Sequence, residues 1–282
     1  MDTIAIVTDS TSDLPRDLSK EYKIHVVPLS VMFASKKYMD DGIEIQEEQF
    51  YEMIKGSSEM PKAAPSSPGD FMQVYSKLLQ HYDGIISLHI SRKLSGTLNS
   101  VEIAVKQFEP GRILDIDSEV VHMSCGFMAI KAAQLAKEID DKEKIARELR
   151  VFRNKVNSFF IPRSLENLIK GGRINKMKGM FANLLEVKPI LTLQDGEVSL
   201  YKNSRKWELA KNEMLDSMEK LIQNNKKLTV SIGDVSSKEE ADEIESRIRQ
   251  RFNPANLIRT KIGIVVGSHL GIGGLGITFF ED

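Results

Sequence analysis

The first half of the chain alternates between short apolar runs and segments with one apolar face. Continuous apolar runs at residues 4–7 and 84–90 predict strands that are covered on both faces, and residues 112–117 predict another strand. Helices are predicted at residues 46–55, 69–82 and 124–139 and in the segment that follows residue 97. Repeated alternation of strand and helix predicts an α/β domain with a parallel sheet.

The second half has a different pattern. Residues 188–193 and 197–201 flank Gln194-Asp195-Gly196, which is a hairpin signal. Further helices are predicted at residues 142–156, 206–223 and 238–252, and Ser164 is predicted to cap a short helix that stops at Gly171-Gly172. Further strands are predicted at residues 159–161, 228–232, 258–266 and 276–280. We therefore predict a separate α+β domain with a mostly antiparallel sheet, and we place the two domains at residues 1–160 and 161–282.

Composition narrows the classes of function. The chain has 282 residues and a net charge of -1, so no strong electrostatic field recruits nucleic acid or anionic lipid. The apolar stretch at the start is too short for a signal-peptide core, and no apolar run reaches the length of a membrane span. We expect a cytoplasmic protein without stable membrane insertion. The single cysteine, Cys125, lies in an apolar helical pattern and is interpreted as a buried, inert thiol, so no thiolate metal site is expected.

A Ser-Gly-Thr turn follows the second buried strand. Ser95, Gly96 and Thr97 stand where a strand leads into a helix, a place where unpaired backbone N–H groups bind anions. Three interpretations are open: a nucleophile on a sharp turn, an anion cradle, and a simple helix cap. The Gly-x-Ser-x-Gly pattern of a nucleophile elbow is absent, because position 93 is Lys and position 97 is Thr. The residues alone favour the cradle and the cap equally.

Residues 271–276 read GIGGLG, the dinucleotide fingerprint, but the chain ends six residues later and leaves no room for the helix that the fingerprint requires. His269 stands directly before these glycines at the end of a predicted strand, and a structural and a functional role are equally compatible with that place.

Near residue 205 the only tryptophan, Trp207, lies beside three cations. It is interpreted either as a surface residue or as part of a partner-binding patch.

Six motifs together resemble one known family. They are IVTDSTSDL at residues 6–14, ISLHISRKLSGTLNS at 86–100, DIDS at 115–118, LENLIKGGRI at 165–174, KPILTLQDGEV at 188–198 and VVGSHLGIGGLGITFF at 265–280. Their order and spread over the whole chain resemble the DegV family. The resemblance implies a larger Rossmann-like N-terminal domain, a smaller α/β domain, and a ligand tunnel between them.

The resemblance also implies a function. Family members resemble carriers of long-chain fatty acids such as palmitate, and some present the carboxylate to a separate ATP-dependent fatty-acid kinase. By resemblance, Ser95 and His269 match the carboxylate-holding serine and histidine, and Arg173 matches an arginine near the head group. Gly96 and Thr97 belong to the same cradle, and Arg205 matches an arginine on the face that meets the kinase.

One position departs from the family pattern. Where the family shows Pro-x-Thr-Ser-Gln-Pro, residues 61–67 read PKAAPSS, so Ala63 stands where the family has a threonine that contacts the head group. Ser66, Ser67 and a water are the candidates to replace the missing hydroxyl. The sequence thus predicts a non-enzymatic carrier of a long-chain fatty acid, without cofactor or metal. The alternative is a small hydrolase or acyl-transfer enzyme that uses Ser95 activated by His269.

Overall fold

The structure is a computed structural model that describes residues 3–174, 187–223 and 227–282. The strands are β1 Ile4–Asp9, β2 Ile24–Val27, β3 Ser30–Phe33, β4 Lys36–Met39, β5 Lys62–Ala64, β6 Gly84–His89, β7 Ile113–Asp117, β8 Asn157–Ile161, β9 Ile190–Gln194, β10 Glu197–Lys202, β11 Leu228–Asp234, β12 Asn256–Lys261 and β13 Leu275–Glu281. The helices are α1 Arg16–Glu21, α2 Glu47–Ile54, α3 Pro68–Leu78, α4 Thr97–Val105, α5 Met123–Leu135, α6 Lys142–Arg153, α7 Glu166–Lys170, α8 Trp207–Leu221, α9 Lys238–Phe252 and α10 Ile264–Leu270.

Contacts divide the chain into two compact units, residues 1–44 with 63–154 and residues 45–62 with 155–282. This division differs from the predicted boundary at residue 160, because β8 pairs with β13 and so belongs to the second unit. Residues 45–62 also join the second unit, where the Tyr51 hydroxyl contacts the carbonyl oxygens of Ile262 and Gly263 at 2.6 and 2.9 Å. The second unit is therefore not the smaller one.

The first unit is built on a four-stranded parallel sheet in the order β2-β1-β6-β7. Every residue of β1 and β6 is buried, as the continuous apolar runs predicted. Helices α3 and α4 pack on the face that carries Ala5, Val7 and Ile85, while α5 packs against β1. Since side chains alternate across a strand, both faces of the sheet are covered. The predicted Rossmann-like arrangement of the first unit is confirmed.

Pro28 ends β2 and separates it from β3, which pairs in a second, three-stranded sheet of order β4-β3-β5. Proline has no N–H to donate to a sheet ladder, so the apolar stretch at residues 24–33 forms two separate strands. Strand β5 in the small sheet carries Ala63.

The second unit contains a six-stranded sheet in the order β10-β9-β8-β13-β11-β12. All neighbouring pairs are antiparallel except β11 and β12, so the predicted mostly antiparallel sheet is confirmed. The hairpin turn forms as predicted, with positive φ at Asp195 and Gly196 (49° and 78°). Apolar residues of α8 and α9, among them Met214 and Ile244, form the core with the sheet.

One predicted element is wrong. The strand predicted at residues 258–266 ends at Lys261, and Ile264–Leu270 form helix α10. The apolar run after Lys261 is short and β-branched, and a run of this kind fits a strand and a buried helix equally well. His269 therefore lies in the last turn of a helix and not at a strand end. In the described residues, no helix is long and apolar enough to cross a membrane.

Candidate functional site

The Ser95 loop lies at the point of the first sheet where ligands usually bind. In the order β2-β1-β6-β7, the chain leaves β1 toward one edge and leaves β6 toward the other. Parallel sheets bind ligands in the crevice outside the carboxyl ends of two strands related in this way. Ser95 follows the carboxyl end of β6, directly before α4, so the topology favours an anion cradle over an isolated helix cap.

Ser95 and Thr97 form a local pair of hydroxyl groups. Their side-chain oxygens are 2.9 Å apart, and the Thr97 backbone N–H donates to the Ser95 hydroxyl oxygen at 3.3 Å. The N-cap residue of α4 is Gly96, which has no side chain to cap the helix. Ser95 thus partly caps the helix from one residue further out, and its side chain remains half-buried. This geometry is therefore compatible with both the anion cradle and the helix cap.

Steric crowding does not require glycine at position 96. Its φ is -77°, and a Cβ atom built at this position would meet only Pro65, at 3.9 Å. The same distance shows that the segment after β5 lies beside the Ser95 loop. Within the first unit, the structure therefore brings Pro65, two residues after Ala63, next to Gly96.

A buried chain of hydrogen bonds holds the start of this loop, and the sequence analysis did not identify it. Asp9 Oδ2 contacts His89 Nδ1 at 2.9 Å and accepts from the Ile90 N–H at 3.2 Å. His89 Nε2 contacts the Ser87 hydroxyl, which in turn contacts the Tyr75 hydroxyl, both at 2.7 Å. All four side chains are fully buried. This chain, the Asp9–Tyr75 relay, resembles a catalytic triad in composition, but no solvent reaches it.

The hydroxyl groups expected to replace the missing threonine have other partners. The Ser66 hydroxyl donates to the Pro28 carbonyl oxygen at 2.5 Å. Ser67 caps α3, with its hydroxyl 2.8 Å from Asp70 Oδ2 and accepting from the Asp70 N–H at 3.3 Å. Ala63 itself is partly buried. Both hydroxyls thus stabilise the segment itself, and the replacement of the threonine by Ser66, Ser67 or a water stays a prediction.

His269 is mostly buried in the second unit. Its ring lies so close to Gly171 that a Cβ atom built there would clash with Nδ1 and would lie only 2.9 Å from Cε1. Nδ1 is buried and has no hydrogen-bond partner among the described residues. Burial, and secondarily the positive charge of Arg173, lowers the pKa of His269 to about 4. The imidazole is therefore neutral at pH 7.

Arg173 lies two residues after Gly171, at the end of the segment that follows α7. Gly172 has a φ of 77°, which glycine adopts without strain, and this turns the chain so that the Arg173 N–H donates to the Leu168 carbonyl oxygen at 3.0 Å. The guanidinium donates to the Gly171 carbonyl oxygen. Burial lowers the pKa of Arg173. The structure thus places Arg173 in the electrostatic environment of His269.

The glycine-rich loop allows neighbouring residues to pack closely and is not a dinucleotide site. It follows helix α10 and precedes strand β13, the reverse of the order that a dinucleotide fingerprint needs. Gly273 has a φ of 82°, and a Cβ atom there would lie 2.6 Å from Arg163 Cγ. Gly267 in α10 has no room for a side chain, because a Cβ atom would overlap the Tyr51 hydroxyl.

Arg205 is exposed in the loop between β10 and α8. The indole of Trp207 is covered by the Arg163 guanidinium, whose central carbon lies 3.7 Å from the ring centroid. Trp207 is therefore a packed residue under Arg163, whereas Arg205 is accessible at the surface.

Two other reactive groups have structural roles. Burial raises the pKa of the Cys125 thiol to about 12, so it remains protonated, as the apolar pattern predicted.

Three carboxylates, Glu208, Glu240 and Glu243, lie close enough together to hold a metal ion. The Lys211 ammonium occupies their centre, with contacts of 2.5 to 2.8 Å. The cluster is thus an ion-pair network between α8 and α9.

Comparison with known proteins decides the family. The sequence profile described as "Uncharacterised protein, DegV family" matches residues 3–282. A DegV domain-containing protein of Caldanaerobacter subterraneus is 34% identical over 282 residues and is covered completely, as is this chain. The chain belongs to the DegV family. Protein DegV of Bacillus subtilis is 30% identical over 275 residues, 97% of this chain and 98% of the relative.

Solved structures of the DegV family have the same fold. A DegV family protein of Thermus thermophilus, described as binding fatty acid, matches with a TM-score of 0.91, 31% identity, and coverage of 99% of this chain and 100% of its own. DegV of Bacillus subtilis, described as a fatty acid binding protein, matches with a TM-score of 0.91, 29% identity, and coverage of 99% of each chain. The fold predicted for this DegV family member is confirmed.

Proposed function

We propose that this protein binds a long-chain fatty acid such as palmitate, with the carboxylate at Ser95 and His269 and with Arg173 nearby. The observation that carries the proposal is the half-buried Ser95 hydroxyl at the switch point of the first sheet, in a chain whose fold matches that of a fatty-acid-binding relative at 31% identity. The predicted ligand tunnel between the domains is part of this proposal.

The state of His269 supports a binding role. Since Nδ1 is buried against Gly171 without a partner among the described residues, a proton on Nδ1 would be a buried, unsatisfied donor. A neutral imidazole therefore favours the tautomer with its proton on Nε2. The Nε2–H group then donates to one oxygen of the carboxylate. A hydrogen bond to a charged acceptor is about twice as strong as a neutral one.

The acyl chain supplies most of the affinity in this proposal. Each buried methylene contributes about 0.8 kcal/mol, whereas one hydrogen bond to a charged group contributes about 1.5 to 3 kcal/mol. The hydroxyl missing at Ala63 is therefore equivalent to a few methylenes, and binding survives its loss. We expect Ala63→Thr to tighten palmitate binding about tenfold, measured by displacement of a fluorescent fatty acid.

Mass spectrometry of the purified protein under denaturing conditions tests the proposal. We expect a fatty acid to be released, and added palmitate to raise the unfolding temperature of delipidated protein. Ser95→Ala is expected to weaken palmitate binding by about tenfold or more, because it removes a hydrogen bond to a charged group. Absence of both a released fatty acid and any stabilisation would contradict the proposal.

The alternative enzyme would use Ser95 as a nucleophile. Within the first unit, the described partner of the Ser95 hydroxyl is Thr97, and the buried histidines His89 and His122 are paired with Asp9 and Asp13. Among the described residues of that unit, no base is thus hydrogen-bonded to Ser95. Turnover of acyl esters by the native protein, abolished in Ser95→Ala, would support the hydrolase over the carrier.

The second part of the proposal is a partner kinase that acts on the bound fatty acid. Arg205 is exposed and carries the charge that a kinase surface would recognise. We expect Arg205→Ala to reduce acyl-phosphate formation by an ATP-dependent fatty-acid kinase, with palmitate affinity unchanged. Arg150→Ala, which removes an exposed arginine of the first unit, is the control and is expected to behave as the native protein. Equal acyl-phosphate formation by the Arg205 variant would remove Arg205 from the interface.

A further inference from the structure

The direction of the hydrogen bond between Ser95 and Thr97 follows from their surroundings. A hydroxyl group has one proton to donate and two lone pairs that accept. The Thr97 side chain is fully buried, and its hydroxyl has one hydrogen-bond partner in the described chain, the Ser95 oxygen 2.9 Å away. Since a buried donor without an acceptor is costly, the Thr97 proton is directed to Ser95.

Both lone pairs of the Ser95 oxygen are then in use. One accepts from the Thr97 hydroxyl and the other from the Thr97 backbone N–H at 3.3 Å. Ser95 keeps its own proton and, unlike Thr97, is only half-buried, so this proton points away from the pair. Chains of hydrogen bonds polarise one another, and a hydroxyl that accepts two bonds is a stronger donor.

We infer that Thr97 is a positioning residue that converts the Ser95 hydroxyl into a fixed donor toward the ligand carboxylate. This inference rests on the proposed function, and it changes the role predicted for Thr97, which was placed among the residues that touch the ligand. Thr97 acts through Ser95. It also gives a physical reason why Ser95 is a poor nucleophile, because the lone pairs that would attack a carbonyl are already hydrogen-bonded.

The test compares three substitutions of Thr97. Thr97→Val keeps the branched shape and removes the hydroxyl, and it is expected to weaken palmitate binding about three- to tenfold, the value of one hydrogen bond. Thr97→Ser keeps the hydroxyl and should restore affinity to within about twofold. Thr97→Ala removes the same hydroxyl without the branched side chain and replaces the valine variant if that variant does not fold.

Two further measurements separate positioning from packing. In a Ser95→Ala background, Thr97→Val should change the dissociation constant by less than about twofold, because the two residues act as one unit. The methyl ester of palmitate carries no charge, so its affinity should change less than about twofold in every Thr97 variant.

Equal weakening of acid and ester would show a packing effect and overturn the inference. Unchanged palmitate affinity in Thr97→Val, with the native protein binding, would overturn the inference and leave the proposed function intact. If the native protein binds no fatty acid, both fail together. Thermal unfolding of each delipidated variant confirms that the folded state is being compared.

Discussion

Ser95 in the first unit and His269 in the second are held by different kinds of support. The Ser95 loop begins at the Asp9–Tyr75 relay, where Asp9 accepts hydrogen bonds from the backbone of Ile90 and from His89. His269 lies on a seven-residue helix whose place is set by close approach, with Gly267 against Tyr51 and Gly171 against the imidazole ring. Directional bonds fix the first residue and steric fit fixes the second.

This difference has a chemical consequence. Hydrogen bonds orient the Ser95 hydroxyl, so its donor direction is set before a ligand arrives. Close packing instead removes water from His269 and leaves Nδ1 without a partner in the described residues, which lowers the pKa of the imidazole. Both groups are therefore neutral hydrogen-bond donors at pH 7. Hydrogen bonds orient the Ser95 hydroxyl, and desolvation keeps the His269 imidazole uncharged. Three experiments test this contrast.

The largest effect is expected from Asp9→Ala, which breaks the directional support. The change leaves His89 and the N–H groups of Ile90 and Thr11 without their acceptor. Each unsatisfied buried donor costs about 1 to 3 kcal/mol, so we expect the free energy of unfolding to fall by about 3 kcal/mol or more. Urea denaturation measures this loss.

Asp83→Ala is the matched control, because the Asp83 side chain is exposed in the same unit. The substitution should cost less than about 1 kcal/mol. Similar losses for the two variants would contradict a special role for the Asp9–Tyr75 relay.

Gly267→Ala breaks the steric support of the second unit. A methyl group at this position overlaps the Tyr51 hydroxyl, which is bonded to the backbone at Ile262 and Gly263. We expect a loss of about 2 to 3 kcal/mol in the free energy of unfolding. Gly96→Ala, with open space around its Cβ position, should cost less than about 1 kcal/mol. If Gly267→Ala left the free energy of unfolding unchanged, steric fit would not determine the position of α10.

The smallest effect is the pH dependence contributed by His269. Its pKa is about 4 in the folded protein, against an ordinary value of 6.5 in the unfolded chain. Between pH 6.5 and pH 4 the unfolded chain therefore binds the proton and the folded protein does not, so stability falls as the pH falls. From pH 7 to pH 5 this group should account for a loss of about 2 kcal/mol.

His269→Gln removes the titrating group and serves as the comparison. Urea denaturation of both proteins at pH 7 and pH 5 should show a smaller loss in the variant. If both proteins lose the same stability over this interval, desolvation of His269 is not the source of the pH dependence.

Local sequence patterns predicted most of the fold. Helix α9 spans residues 238–252 as predicted, since its apolar stripe and polar face repeat at the helical period. The turn at Asp195 and Gly196 formed because both residues tolerate positive φ, which this hairpin needs. Helix α10 was missed for a local reason too, because a short β-branched run does not distinguish a helix from a strand.

The candidate site was predictable only in part. Ser95 and Thr97 are two residues apart, so their neighbourhood could be seen in the sequence, but the direction of their hydrogen bond required knowledge of their burial. Asp9 caps the turn that follows β1, a local role, but it also contacts His89, which lies 80 positions further along the chain. A signal for this was present in the polar Ser87 and His89 within an otherwise apolar strand.

Sequence patterns alone predicted most strands of the two larger sheets, most helices, the hairpin and the family, because all of these depend on residues close together in the chain or on motifs in a given order. Tertiary structure decided that residues 45–62 join the second unit, that Asp9 supports the Ser95 loop, and that the pKa of His269 is lowered. Burial and long-range hydrogen bonds arise only when distant segments meet. Those contacts set whether a hydroxyl or an imidazole acts as a donor.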